Sequence, residues 1–447
     1  MNKQLSVLSL SLITICSVDS IRNLPAAAMA GNQLVHYFLL ALIFFLLPCA
    51  FIAIWFSTTS HQGIYGWVKQ GLGQPFACMA IWFQCVQNVL IYPTFFSFIA
   101  GTLLYGFSPK LITNHHFVFF IILSLIWGLT WINLKGIHVS SRFNSFCTLV
   151  GLLLPFTIIL AMGGVWYFTH SYNIIIQSPT VNASSWTSLT AIMLSFCGLE
   201  IAAVHAKESQ PGSFPKAMII SVIVIFLTML FGALTLAMII PLQQLSFISS
   251  IPQLIDLFFR EMHCGEMAFF INGLIALGCI GTANNWIIAP IKGLSFAIDE
   301  GFLSPKLMQM NPNHAPARLL TLQALIVSII SCLFLIFPSI NASYRILLNA
   351  ATQLYLLMYI LLFLSALRIG FSANKLPIIV IIWSFLGLLG ISIGLGVSFI
   401  PPASSYLNFK FLYALLSGLF LIFVIFFPLI VLNKGFITKP GCPEVCE

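Results

Sequence analysis

Twelve stretches of about twenty residues, each almost free of Asp, Glu, Lys and Arg, divide this chain of 447 residues. They fall at roughly 5–30, 34–57, 76–105, 115–134, 143–165, 186–206, 217–240, 266–290, 319–337, 346–367, 376–399 and 411–433. A helix rising about 1.5 Å per residue needs about twenty residues to cross a hydrocarbon core about 30 Å thick. Charged residues make up 6% of the chain, against about 25% in a typical soluble domain. A soluble globular enzyme, a disordered chain and a disulfide-rich secreted module are thereby excluded. A membrane β-barrel is excluded too, because barrel strands alternate polar and apolar residues and these runs are continuous. The expected fold is an all-α membrane protein of about twelve transmembrane helices. The loop at 166–185 carries no Lys, Arg, Asp or Glu but is polar, and it separates the fifth span from the sixth.

The distribution of Lys and Arg sets the expected orientation, since cytoplasmic loops are enriched in both. With the N-terminus inside, thirteen of the eighteen basic residues fall on the cytoplasmic side, and Arg22, Lys110, Arg260, Arg345 and Lys410 fall outside. Both termini are therefore expected in the cytoplasm. A rival reading makes residues 1–30 a signal peptide with Ala26–Ala30 as its cleavage site. Asp19 and Arg22 lie between the apolar stretch and those alanines, which suits a signal poorly. One transmembrane unit is expected over 1–433; if it holds two five-helix repeats, they occupy about 5–165 and about 186–367, with two further helices at about 376–433. A short cytoplasmic tail, 434–447, follows. Its Cys442 and Cys446 lack a second thiol pair and make a poor metal motif. The net charge of +8 follows from the loop bias, and no basic run points to nucleic acid.

Ionisable residues inside a span cost about 2.5–3.5 kcal/mol at a helix centre and mark function by default. Asp19 in the first span and Glu200 in the sixth are the most deeply placed; Lys292 and Asp299 lie toward the inner end of the eighth. Both Asp19 and Glu200 sit among helix-weakening residues. The first span reads Cys16-Ser17-Val18-Asp19-Ser20-Ile21-Arg22-Asn23-Leu24-Pro25, the sixth Ser195-Phe196-Cys197-Gly198-Leu199-Glu200. Ser and Asp compete with the backbone for hydrogen bonds, and Gly lowers the cost of unwinding. Spans one and six correspond if the chain holds two five-helix repeats, and five being odd, the second repeat is inverted. Paired interrupted helices in inverted repeats point to a transporter binding site. The unwound backbone would offer N–H groups to a carboxylate and C=O groups to an ammonium, which suits a small zwitterion.

At these residues the chain resembles the amino acid–polyamine–organocation superfamily, whose core is the LeuT-type fold of five plus five inverted helices. Gly63-Ile64-Tyr65-Gly66-Trp67 resembles the segment after its second span, with Gln62 replacing one glycine. Asn133-Leu134-Lys135-Gly136 resembles its turn after span four. Ser195–Glu200 resembles its Ser-Phe-x-Gly-x-Glu. Glu208 with Pro211 and Pro215-Lys216, then Trp286 and Asp299-Glu300-Gly301-Phe302-Leu303-Ser304-Pro305, resemble later landmarks in the same order. Val18–Pro25 is similar to the bacterial glutamate/γ-aminobutyrate antiporter type. Where the wider family has Gly-Ser-Gly, this chain has Val18-Asp19-Ser20, so a carboxylate stands where a substrate would approach the backbone.

The resemblance implies a secondary active transporter of amino acids or their derived amines in a bacterial inner membrane, working by exchange. Proton symport and a non-transporting sensor are the alternatives. Candidate substrate contacts are Ser17, Asp19, Ser20, Arg22, Cys197, Gly198 and Trp286, the last as an aromatic wall. Candidates for gating or proton coupling are Asp19, Glu200 and His205, the last one helical turn beyond Glu200. Three roles stay open for Asp19: a structural pair with Arg22, a ligand for the substrate's ammonium group, or a proton carrier. No cofactor or metal is expected. Protons and membrane lipid are expected partners beside the substrate, and the oligomeric state is left open. The chain has no metalloprotease helix, nucleophile elbow or P-loop, and no channel filter sequence.

Overall fold

A computed structural model of the chain describes residues 6–58, 63–136, 143, 146–147, 149–170, 183–201, 210, 212–299, 304–313, 315–372, 378–401 and 410–435. Those residues are almost wholly helical. The first span is broken into α1 (Val7–Val18) and α2 (Leu24–Ala28). There follow α3 (Gly31–Ser57), α4 (Gly63–Leu72), α5 (Gln74–Phe107), α6 (His115–Leu134) and α7 (Val150–Thr169). The second half comprises α8 (Ala183–Ser195), α9 (Ser213–Ile239), α10 (Ser250–Glu261) and α11 (Met267–Asp299). It ends with α12 (Ala317–Ile336), α13 (Ile340–Ser372), α14 (Ile378–Ser398) and α15 (Lys410–Gly435).

Eleven of these segments, counting α1 with α2, are long and apolar enough to cross a membrane among the described residues. The sixth expected span is a shorter apolar helix, Trp186–Ile201. The chain is thus a multi-pass membrane protein. Helices dominate because lipid offers backbone N–H and C=O groups no partners, so each segment must satisfy its own. Two helices lie outside the expected spans. Both α4 and α10 are amphipathic; α10 buries Ile251, Leu254, Ile255 and Phe258 and closes its polar face with an Arg260 Nε to Asp256 Oδ1 bond of 2.8 Å.

The centre of the bundle is α5 packed against α13 and α11. In its most apolar window 78% of α5 is buried, against 22% for the peripheral α15. Several motifs noted in the sequence serve this packing. Asn133 Nδ2 donates to Asn284 Oδ1 at 2.6 Å, joining α6 to α11. Gly136, at φ 103°, adopts a backbone conformation that favours glycine. Trp67 is fully buried and stacks on Phe56. Close helix approach also depends on glycine where Gly151 of α7 faces Gly278 of α11: a Cβ on Gly278 would lie 2.8 Å from the Leu152 backbone nitrogen and closer still to the Gly151 carbonyl. Small residues permit such approach in membranes. Gly278→Val is therefore expected to cost about 1–3 kcal/mol through overpacking. It should lower the melting temperature in detergent; an unchanged melting temperature would mean that the two helices separate freely.

Candidate functional site

The first span breaks where its sequence removes successive reasons to stay helical. Ser17 Oγ donates to the Ile13 carbonyl at 2.7 Å, and the Asp19 amide makes the last bond of α1, to Ile15 at 2.7 Å. Asp19 and Ser20 are then extended, with ψ of 130° and 119°. Pro25 cannot donate back to the Ile21 carbonyl, so the chain restarts through a short 3₁₀ turn, Ile21–Asn23, into α2. The sixth span breaks differently. After Ser195, the amides of Phe196 and Cys197 bond three residues back, tightening the last turn. Gly198 then takes φ 110°, a conformation that L side chains rarely adopt.

The two breaks meet. A Cβ placed on Gly198 would lie 3.4 Å from the Ser17 carbonyl oxygen and 3.3 Å from Cζ2 of Trp286 on α11. Around this point is a cavity of about 30 Å³, room for one or two water molecules and too small for an amino acid. Its wall includes Ser17, Ser20 and Arg22 from the first break, Cys197 from the second and Trp286 from α11. Five of the seven residues expected to contact substrate thus line one cavity, and Gly198 sits at its edge. Val18, Asn23 and Leu194 beside the two breaks also line it, and sequence reasoning did not single out the wall supplied by other helices: Gln87, Ile91 and Phe95 of α5, Thr282 of α11 and Tyr355 of α13.

Asp19 and Arg22 do not pair. Asp19 is 2% exposed, and its Oδ2 accepts a 2.7 Å bond from the Thr228 hydroxyl on α9, a helix that contributes nothing to the cavity wall. Its Oδ1 has no hydrogen-bond partner among the described residues. Arg22, three residues on and 4% exposed, turns toward α5 and α13. Its Nη1 donates to Thr94 Oγ1 at 3.0 Å and to the Tyr344 hydroxyl at 3.2 Å, and its guanidinium lies 3.8 Å above the Phe95 ring. The structural pair considered for Asp19 is therefore not formed, and of the two charged residues it is Arg22 that borders the cavity.

Glu200 lies behind the cavity, 3% exposed. Its Oε1 accepts from the Tyr355 hydroxyl and its Oε2 from the Tyr359 hydroxyl, each at 2.5 Å. Tyr359 also accepts a 3.4 Å bond from the Gly198 amide. The two tyrosines, four residues apart on one face of α13, clamp the unwound segment of the sixth span. Tyr355 reaches the cavity wall and stands 6.3 Å from Trp286 between ring centroids. The Trp286 carbonyl in turn accepts from the Tyr92 hydroxyl at 2.5 Å. His205 and the Glu208–Pro211 loop motif lie outside the described residues, as do Cys442 and Cys446; α11 includes the backbone of Lys292 and Asp299.

A wider vestibule of about 420 Å³ opens on the other side of α2. It is bordered by Gln33, Ser188, Phe247, Arg345 and Asn349 among others. Phe247 stacks on Tyr344 at 4.8 Å, with Arg345 5.2 Å above the Phe247 ring and Tyr344 bonded to Arg22. Phe247 and Arg345 line the vestibule, and Tyr344 links Phe247 to Arg22 on the inner cavity. Among the described residues, no group of three or more His, Cys, Asp or Glu is placed to hold a metal.

The family model described as "Amino acid permease" matches residues 5–438. An uncharacterized transporter of Legionella pneumophila is 31% identical, with 97% of each chain covered. A glutamate/gamma-aminobutyrate antiporter of Lactococcus lactis subsp. lactis is 25% identical over 96% of this chain and 90% of its own. A probable agmatine/putrescine antiporter of the same organism is 24% identical over 67% of this chain and 65% of its own.

Proposed function

The chain belongs to the amino acid permease family, and from that premise we propose that it is a secondary active transporter working by exchange. Its relatives are transporters of amino acids or amines, not enzymes. The observation that carries the proposal is the meeting of two broken helices at a small cavity, where a Cβ on Gly198 would touch both the Ser17 carbonyl and Trp286. Non-helical backbone at membrane depth is tolerated where it lines a cavity, and broken helices at that depth bind substrate in transporters built from repeats.

In this reading, substrate enters through the vestibule, parts the Phe247–Tyr344 pair and widens the inner cavity. The short 3₁₀ turn Leu199–Ile201, which follows Gly198, moves as it does so, and Glu200 exchanges or loosens its tyrosine partners. Movement of this turn closes the outer route and opens the inner one. Exchange follows when only the loaded carrier makes that step. The two repeats, about 5–165 and 186–367, supply the elements that rock against each other, and α14 and α15 flank them. The protein sits in a bacterial inner membrane with both termini in the cytoplasm. Two buried carboxylates with no described basic group within ion-pairing distance, Asp19 and Glu200, favour proton-coupled symport as the second reading.

Flux in proteoliposomes separates the two. Purified protein is reconstituted with a mixed pool of amino acids and amines inside, or with none. Labelled entry that needs an internal pool is the expected result. Entry into empty vesicles driven by an imposed pH gradient would favour symport. Absence of flux for every compound in folded protein would overturn transport and leave a sensor.

A further inference from the structure

Among the described residues, a positive charge without a negative partner borders the inner cavity. Arg22 is buried, yet no described Asp or Glu oxygen comes within 4.0 Å of it; the ion pairs among the described residues are His170–Glu261 and Arg260–Asp256. Neutral hydroxyls and an aromatic face hold its guanidinium, and its Nε has no acceptor among the described residues. Burying a charge in this way is costly unless something pairs with it, and guanidinium is suited to bidentate binding of a carboxylate.

The rest of the route has the same sign. Arg345 lines the vestibule, and no Asp or Glu is among the described residues lining either cavity. Asp19, which sequence alone left as a possible ligand for an ammonium group, is bonded to Thr228 on a helix outside the cavity wall. The outer half-helix α2 is only five residues long, so its dipole is a poor substitute for a cation.

Resting on the transport reading, we propose that Arg22 is the carboxylate acceptor of the site. The substrate is accordingly an amino acid that presents a carboxylate to Arg22, with net charge zero or negative, and not a dicationic amine. A diamine would bring a second cation beside the Arg22 guanidinium in a buried cavity, where like charges repel.

The test uses γ-aminobutyrate and putrescine, which share a four-carbon chain with one terminal amine and differ in whether the other end bears a carboxylate or an amine. L-glutamate serves as a second carboxylate probe. In counterflow with the full chain, the carboxylate compounds are expected to exchange at least tenfold faster than putrescine. Arg22→Gln should reduce that preference by about tenfold to hundredfold, the worth of a charged hydrogen bond. A structural defect would instead lower all fluxes together. Putrescine exchanged as fast as γ-aminobutyrate, or a preference unchanged in Arg22→Gln, would overturn the proposal while leaving transport intact.

Should Arg22→Gln fail to fold, Arg22→Lys keeps the charge but loses the fork. It should weaken γ-aminobutyrate exchange while preserving the preference over putrescine, and unaltered γ-aminobutyrate exchange would count against the proposal. If no compound is transported, the transport reading fails, and the assignment of Arg22 is judged by binding. Thermal stabilisation of the detergent-purified chain by L-glutamate or γ-aminobutyrate, but not putrescine, supports it; stabilisation by putrescine alone, or by none of the three, overturns it.

Discussion

Exchange by the Glu200→Gln variant is expected to fall by at least tenfold, with the protein still folded. The Glu200 carboxylate receives two phenolic O–H groups, from Tyr355 and Tyr359. Hydrogen bonds to a charged group contribute about 1.5–3 kcal/mol each, and 1.4 kcal/mol is tenfold in an equilibrium constant. The amide has one acceptor oxygen, so one phenol must reverse its hydrogen bond or lose it. The Leu199–Ile201 turn is then tied less tightly to α13, and the conformational equilibrium that exchange depends on shifts. Tyr355→Phe and Tyr359→Phe should each produce part of the same loss. Because the three groups form one network, combining either with Glu200→Gln should add much less than its separate effect. Counterflow rates, with melting temperature as a control for folding, check this. Full activity in Glu200→Gln would remove the clamp from the mechanism.

A single methyl group at Gly198 is expected to produce a comparable loss by a different cause. At φ 110°, a residue bearing a Cβ is strained by about 1–3 kcal/mol. The added carbon also meets Trp286 at 3.3 Å and the Ser17 carbonyl at 3.4 Å, where the two breaks touch. Gly198→Ala should therefore reduce exchange by about tenfold or more, the strain converted at 1.4 kcal/mol per decade. Gly198→Val should abolish it. Gly164→Ala is the control: its Cβ meets nothing within 4 Å, and a change of no more than about 0.5 kcal/mol is expected for an exposed position. Equal activity for Gly198→Ala and Gly164→Ala would mean that the break at Gly198 is a packing accident.

The sequence made the spans and the two breaks legible because the causes are local. Apolar length against bilayer thickness locates helices, and Ser17, Asp19, Ser20, Pro25 and Gly198 each weaken a helix through their own chemistry. The superfamily resemblance rests on residues of this kind, and the family match along 5–438 agrees with it. What was not legible is direction. Once the first span unwinds at Asp19, the 3.6-residue period that assigns faces is lost, and the three-residue spacing to Arg22 no longer says that both point one way. Asp19 turned to α9 and Arg22 to the cavity, so of the two charges expected at the site only the positive one lines it. Tyr355 and Tyr359 were missed for another reason: in a long apolar run, two tyrosines four residues apart look like core packing, and only their meeting with Glu200 distinguishes them. The amphipathic α10 lies outside the expected spans because Asp256, Arg260 and Glu261 interrupt its half-buried apolar face.

The central claim is that substrate binds where the two broken spans meet. The most direct measurement is an experimental structure of the exchange-competent protein with a compound that drives counterflow. The expected result is ligand density among Ser17, Ser20, Arg22, Cys197 and Trp286, in a cavity enlarged beyond its present 30 Å³, with the Leu199–Ile201 turn displaced from α13. Ligand found only elsewhere, with both breaks and the Glu200 clamp unchanged, would contradict it.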